Sequence, residues 1–302
     1  MNAKRSDLEN NSLNKLINLK NLKLNSNSKI YSLSKLKKLQ NLDCAFVNSL
    51  DYTSLALLTD LEHLIVYLDD EQKRKKISLI NNNKLRVIIL NNLKIVDKIE
   101  SNHIKILKLT NINNFPISNL KEVQELVINS DMEIIDISNL TYLKKLTLNK
   151  NVKGLHKLIN LIELKLYDNY GISCKTVNKL VNLKLLELHN INIKSLNNLI
   201  NLDELTLNNC TFKQSSINKL TNLKSLYLNN VKTKLNVNIF KKLDHLSFHN
   251  SPNIQFETHD FDNITSIFCD RMGSSKICEH CKAENKIYIN VSPNFGSYVP
   301  LS

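Results

Sequence analysis

Glycine and proline are scarce in this chain, at four each in 302 residues. That excludes a collagenous or linker-rich protein and a chain punctuated by tight glycine turns. Four glycines also leave no phosphate-cradling loop. Arginine is nearly missing: Arg5, Arg74, Arg86 and Arg271 stand alone, so a formal charge of +13 is carried almost wholly by lysine. No apolar run approaches the length of a membrane span. The first residues hold no apolar stretch of the kind a secretory signal needs. G-x-S-x-G, H-E-x-x-H and protein-kinase patterns are lacking, so the expectation is a protein without catalytic activity, catalytic residues or a cofactor. The six cysteines (Cys44, Cys174, Cys210, Cys269, Cys278, Cys281) are too scattered for a disulfide framework. With no export signal, they point to a reduced, cytoplasmic setting.

What is abundant is leucine, isoleucine, asparagine and lysine. Residues favoured by A/T-rich codons dominate, which explains part of the basic character as mutational bias. The leucines are ordered. Leu202, Leu205 and Leu207 form L-x-x-L-x-L, and the pattern returns about 21 residues later at Leu223, Leu226 and Leu228. First leucine-type positions fall at Leu19, Leu39, Leu61, Leu85, Ile104, Val123, Leu143, Leu161, Leu183, Leu202, Leu223, Leu243 and Ile264, about 13 units in all. Such a period marks a solenoid, in which each unit packs on its neighbours. Leucines three apart can also line a helix. Here the pattern ends in L-x-L, the period-2 alternation of a strand, and runs into asparagine-rich turns.

Lines such as LKNLKLNSN (19–27), LKKLTLNKN (143–151) and LIELKLYDN (161–169) match L-x-x-L-x-L-x-x-N. In these, residues 13–272 resemble the leucine-rich repeat family. The resemblance implies an α/β solenoid with a parallel β-sheet on the concave face and short helical, 3₁₀ or irregular turns on the convex face. Residues 1–12 read as a polar tail and 273–302 as a C-terminal cap, with Ile287 and Ile289 as its apolar pair. The chain departs from the family at the ninth position, which is Val47, Leu93, Ile112, Ile191, Cys210 or Val231 in many units. Asparagine stands one place earlier, at Asn92, Asn190, Asn209 and Asn230. The family's asparagine ladder should therefore be patchy, with apolar stacking filling the gaps.

Candidate site residues lie between the leucines. If the leucines point inward, positions three, five and seven of each unit point out. Positions three and five hold four lysines (Lys23, Lys108, Lys145, Lys165) against five carboxylates (Asp43, Glu125, Glu163, Glu187, Glu204), a nearly neutral face in a basic protein. That disfavours a nucleic-acid groove, which concentrates Lys and Arg along one stripe. Two patches result. One is apolar: Ile65, Tyr67, Val87, Ile89, Ile106 and Val127. The other is acidic and aromatic: Glu163, Tyr167, Glu187, His189, Glu204, Tyr227 and His245. Both are expected to contact a protein partner. The alternatives are a lysine-rich outer surface that binds nucleic acid or anionic membrane, and an adaptor subunit of an enzyme complex. A small-molecule substrate is not expected. Lys73-Arg74-Lys75-Lys76 reads as a solvated loop or a nuclear-localisation patch. Cys278, His280 and Cys281, with Cys269 or His259, have partial zinc-ligand character, but no second ligand pair follows, so no metal is assigned.

Overall fold

The computed structural model describes residues 10–26, 29–69, 75–95, 99, 101–112, 115, 117, 120–129, 134–149, 151–168, 171–255, 264–269 and 287–289. The tetrad at 73–76 in part, His259, Cys278, His280 and Cys281 lie outside these residues. The chain divides into two compact units, residues 1–162 and 163–302.

In the first unit seven parallel strands stack in chain order: β1 (Asn21–Leu24), β2 (Asn41–Ala45), β3 (His63–Tyr67), β4 (Val87–Asn91), β5 (Ile106–Thr110), β6 (Glu125–Asn129) and β7 (Lys145–Leu148). The second unit repeats the plan with β8 (Glu163–Leu166), β9 (Leu185–His189), β10 (Glu204–Asn208), β11 (Ser225–Asn229), β12 (His245–His249), β13 (Ser266–Cys269) and β14 (Ile287–Ile289). Register is gapless. Each repeat position pairs with the same position of the next repeat, as in Leu186↔Leu205↔Leu226↔Leu246. The leucines are buried and the residues between them are not. Leu205, Leu207 and Leu226 are 0 % exposed, and Tyr227 is 37 % exposed. The sheet thus has one core face and one solvent face, as the alternation predicts.

The leucines upstream of each strand have a different geometry. Leu199 N donates to Leu196 O (2.9 Å) and Leu202 N to Leu199 O (3.0 Å); Leu58–Leu55 and Leu220–Ile217 repeat this. Bonds three residues apart make three residues per turn, so L-x-x-L-x-x-L is a run of 3₁₀-like turns that drops a leucine into the core at each step. That is why a helix-like spacing leads into a strand. Regular helix is brief: Asn10–Leu13, Cys174–Val177 capped by Ser173, and 3₁₀ segments such as Tyr52–Leu57.

Among the described residues, the chain leaves eight of the strands through a left-handed residue. Positive φ occurs at Asn92 (60°), Asn111 (51°), Asn190 (57°), Asn209 (51°), Asn230 (54°) and Asn250 (47°), with Asp168 and Phe46 in the equivalent places. Asparagine tolerates this region better than other residues with a Cβ, so it supplies the turn that glycine is too scarce to make. These side chains also link repeats. Asn111 Nδ2 donates to Asn92 Oδ1 (2.8 Å), Asn250 to Asn230 (2.9 Å), Asn230 to Asn209, and Asn190 to Asp168. Next in sequence, Val47, Leu93, Ile112, Ile191, Cys210 and Val231 are buried. Apolar stacking does fill the ninth position, and polar links run beside it at the eighth, broken where Phe46 and Leu68 stand. A second asparagine row precedes the strands: Asn201 Nδ2 donates to Val181 O (3.1 Å) and Asn222 Nδ2 to Ile200 O (2.8 Å).

Candidate functional site

The solvent face of the strands carries the side chains that sequence spacing singled out. In the first unit, Ile65 pairs with Ile89, and Val87 with Ile106. These four, with Tyr67 at the end of β3, form a contiguous apolar surface. All are half-buried against one another. Val127 is set apart from Ile89, because Lys108 lies between them in the same column and pairs with Glu125 (2.9 Å). Val127 meets the patch only on the diagonal from Ile106, which pairs directly with Glu125. Beside Tyr67, the Asn91 Oδ1 is buried and has no hydrogen-bond partner.

In the second unit, the polar patch divides. Glu187 is the centre of one part. Lys165 Nζ lies 3.1 Å from one carboxylate oxygen, while Tyr167 OH donates to the other (3.0 Å) and His189 Nε2 is 2.7 Å from it. The Tyr167 and His189 rings are 4.4 Å apart between centroids and tilted by 46°. Burial disfavours the charge of Glu187, but the His189 hydrogen bond, the Lys165 charge and the Tyr167 hydroxyl outweigh it and hold its carboxyl down to about 2. Burial, reinforced by the neighbouring Glu187, pushes the Tyr167 phenol up. Glu163 and Glu204 flank this centre on either side of Leu185. Burial raises the Glu204 carboxyl, Lys165 opposes the rise, and Glu187 and Glu163 add to it.

The other part lies further along the sheet. Tyr227, Ser247 and Phe268 occupy one column on β11, β12 and β13. Tyr227 and Phe268 are each 37 % exposed. His245 bonds Ser266 Oγ and lies 3.5 Å from Asp244. The structure therefore brings together Glu163, Tyr167, Glu187, His189 and Glu204, and places Tyr227 and His245 in a separate group. Lys165 and Phe268 were missing from the predicted patches. Lys165 was legible in the same column as Glu187. Phe268 stands in line with Tyr227, but its company follows from register rather than from local sequence.

On the strand face of this unit three carboxylates (Glu163, Glu187, Glu204) face one lysine (Lys165). The other lysines described here, such as Lys179, Lys194, Lys213 and Lys219, stand exposed in the segments that connect the strands. The basic excess is thus on the outer side. Among the described residues no cluster of three or more His, Cys, Asp or Glu could hold a metal ion. No helix among them is long and apolar enough to cross a membrane.

No protein-family model matches the sequence, and no curated protein is significantly similar to it. Solved structures are similar in fold. An internalin, InlF, from Listeria monocytogenes is 18 % identical, with 93 % of this chain and 89 % of that one covered and a TM-score of 0.58. A leucine-rich repeat protein of Leptospira interrogans is 19 % identical, with 94 % and 93 % covered and a TM-score of 0.60. The functional domain of Listeria InlJ is 15 % identical, with 85 % and 60 % covered and a TM-score of 0.61. At these identities the likeness shows the fold, which is that of leucine-rich repeat proteins.

Proposed function

We propose that this leucine-rich repeat protein is a non-catalytic binding module that holds another protein on its strand face, the side the repeat architecture makes concave. The observation that carries the reading is the solvent face of the sheet itself. It presents half-buried Ile65 and Ile89, paired on neighbouring strands of the first unit, and exposed Tyr227 in the second, on a backbone that the core leucines hold rigid. A preformed surface loses little conformational entropy on association, so its contacts convert efficiently into affinity. Tyrosine and buried apolar centres are the residue types that dominate such interfaces. The parallel pairing of β14 onto β13 supports a C-terminal segment that covers the last repeat, since terminal repeats need their apolar end closed.

The test replaces Ile65, Ile89 and Tyr227 together with serine and compares proteins captured from the native host with those captured by the wild type. The expected outcome is loss of specific partners with an unchanged circular dichroism spectrum. Retention of every partner by a folded triple variant would overturn the strand face as the binding surface.

A further inference from the structure

The two groups on the strand face of the second unit have complementary chemistry, and none of the described residues bridges them. Tyr227 and Phe268 stand two strands apart with Ser247 between them. Two inter-strand steps are about 10 Å. The small Ser247 side chain leaves a gap between the rings about as wide as one guanidinium or lysine stem. Aromatic faces attract cations. At the other end of the face, Lys165 is committed to Glu187, and the Glu204 carboxylate makes no hydrogen bond or ion pair among the described residues. The acidic surplus sits on the strand face while the unit's loops carry the lysines.

Resting on the binding role above, we propose that this face takes a cationic segment of a partner protein. One arginine or lysine side chain seats between Tyr227 and Phe268 over Ser247, and a second pairs with Glu204. The cation at Glu204 meets a carboxylate crowded by burial, Glu187 and Glu163, so pairing relieves an existing repulsion. Glu204 lies two strands from Ser247 and two residues off its column, about 12 Å along the diagonal. In a polyproline II segment, residues three apart lie on one side and about 9 Å from each other. Arginine side chains are long enough to span the difference of roughly 3 Å, so cations at every third residue of an extended, proline-rich segment reach both places. Arginine fits the gap better than lysine, because its planar head stacks on rings and still bonds carboxylates.

The probe is a fluorescent proline nonapeptide with arginine at its second, fifth and eighth positions, titrated at low salt by anisotropy. Controls carry glutamine or glutamate in place of arginine. The arginine peptide is expected to bind, the glutamine peptide to bind at least about tenfold more weakly, and the glutamate peptide not to bind. Glu204→Gln and Phe268→Ala, each checked for an unchanged melting temperature, should weaken the arginine peptide about tenfold. Tyr227→Phe should retain binding, because the ring remains. Equal affinity for the arginine and glutamine peptides, or full affinity in both variants, would overturn the proposal. So would a silent arginine peptide. If host partners are still lost on serine substitution of Ile65, Ile89 and Tyr227, the cation preference alone has failed and the binding role stands.

Discussion

Asn209 performs two tasks that are usually separate. Its backbone takes the left-handed conformation that ends a strand, and its side chain accepts from Asn230 in the next repeat. Alanine removes both. We expect Asn209→Ala to cost about 2 kcal/mol in chemical denaturation, combining left-handed strain with a lost hydrogen bond. Asn209→Gly keeps the conformation and should cost clearly less. Equal losses would show that the turn does not depend on backbone preference. Phe46 takes the same conformation (φ 58°) with a bulky side chain, an exception that carries its own strain. Asn82 is a different case. It occupies a position that is leucine in most repeats, is 0 % exposed, and donates to Leu55 O (3.0 Å) and Leu58 O (2.7 Å). Its Oδ1 has no partner. Asn82→Asp exchanges two donors for a carboxylate aimed at carbonyl oxygens, and about 3 kcal/mol of stability should be lost, read from the urea midpoint.

At the scale of elements, β8, β9 and β10 share one electrostatic knot. Glu187 has its carboxyl held down to about 2, against an ordinary value of 4.5. A depressed carboxylate contributes stability that is present above its unfolded value and disappears as pH falls through its folded one. The melting temperature of the wild type should thus decline between about pH 4.5 and pH 2 partly through Glu187. Glu187→Gln, which cannot titrate, should flatten that part of the profile and lower stability at neutral pH. Parallel curves for the two proteins would contradict the assignment. Elsewhere, element geometry depends on one glycine. Gly154 has φ 84° and opens the 3₁₀ turn Leu155–Lys157, and a Cβ there would come within 2.5 Å of Ser138. Only glycine tolerates both the conformation and the close approach.

At the scale of the whole molecule, stability is built from neighbour contacts along the repeat axis, not from one central core. Leu205 is fully buried between Leu186 and Leu226 in adjacent strands. Leu205→Ala should cost about 3 kcal/mol. Its effect on amide exchange should be strongest in β9–β11 and faint in β1–β3. Uniform loss of protection throughout would mean that the array unfolds as one cooperative body. The same one-dimensional construction explains how a basic chain keeps a nearly neutral strand face. Successive repeats stack like positions on like, so charge placed in the loops stays in the loops.

The strands and their solvent face were legible in sequence because burial alternation and a period of about 20 residues are local properties. Spacing placed Ile65, Ile89, Glu187 and Tyr227 on the solvent face, and the parallel, gapless register bears that out. Tertiary structure decided what stands beside what. Lys108 separates Val127 from Ile89, Lys165 claims Glu187, and Phe268 completes a gap with Tyr227, since those contacts join residues about 20 or 40 positions apart. It also decided how the asparagines are linked, where spacing had assigned them only to turns and the family resemblance to a patchy ladder. Their left-handed φ angles and side-chain ladder exist only once the repeats are stacked, because each bond needs a donor from one turn and an acceptor from the next.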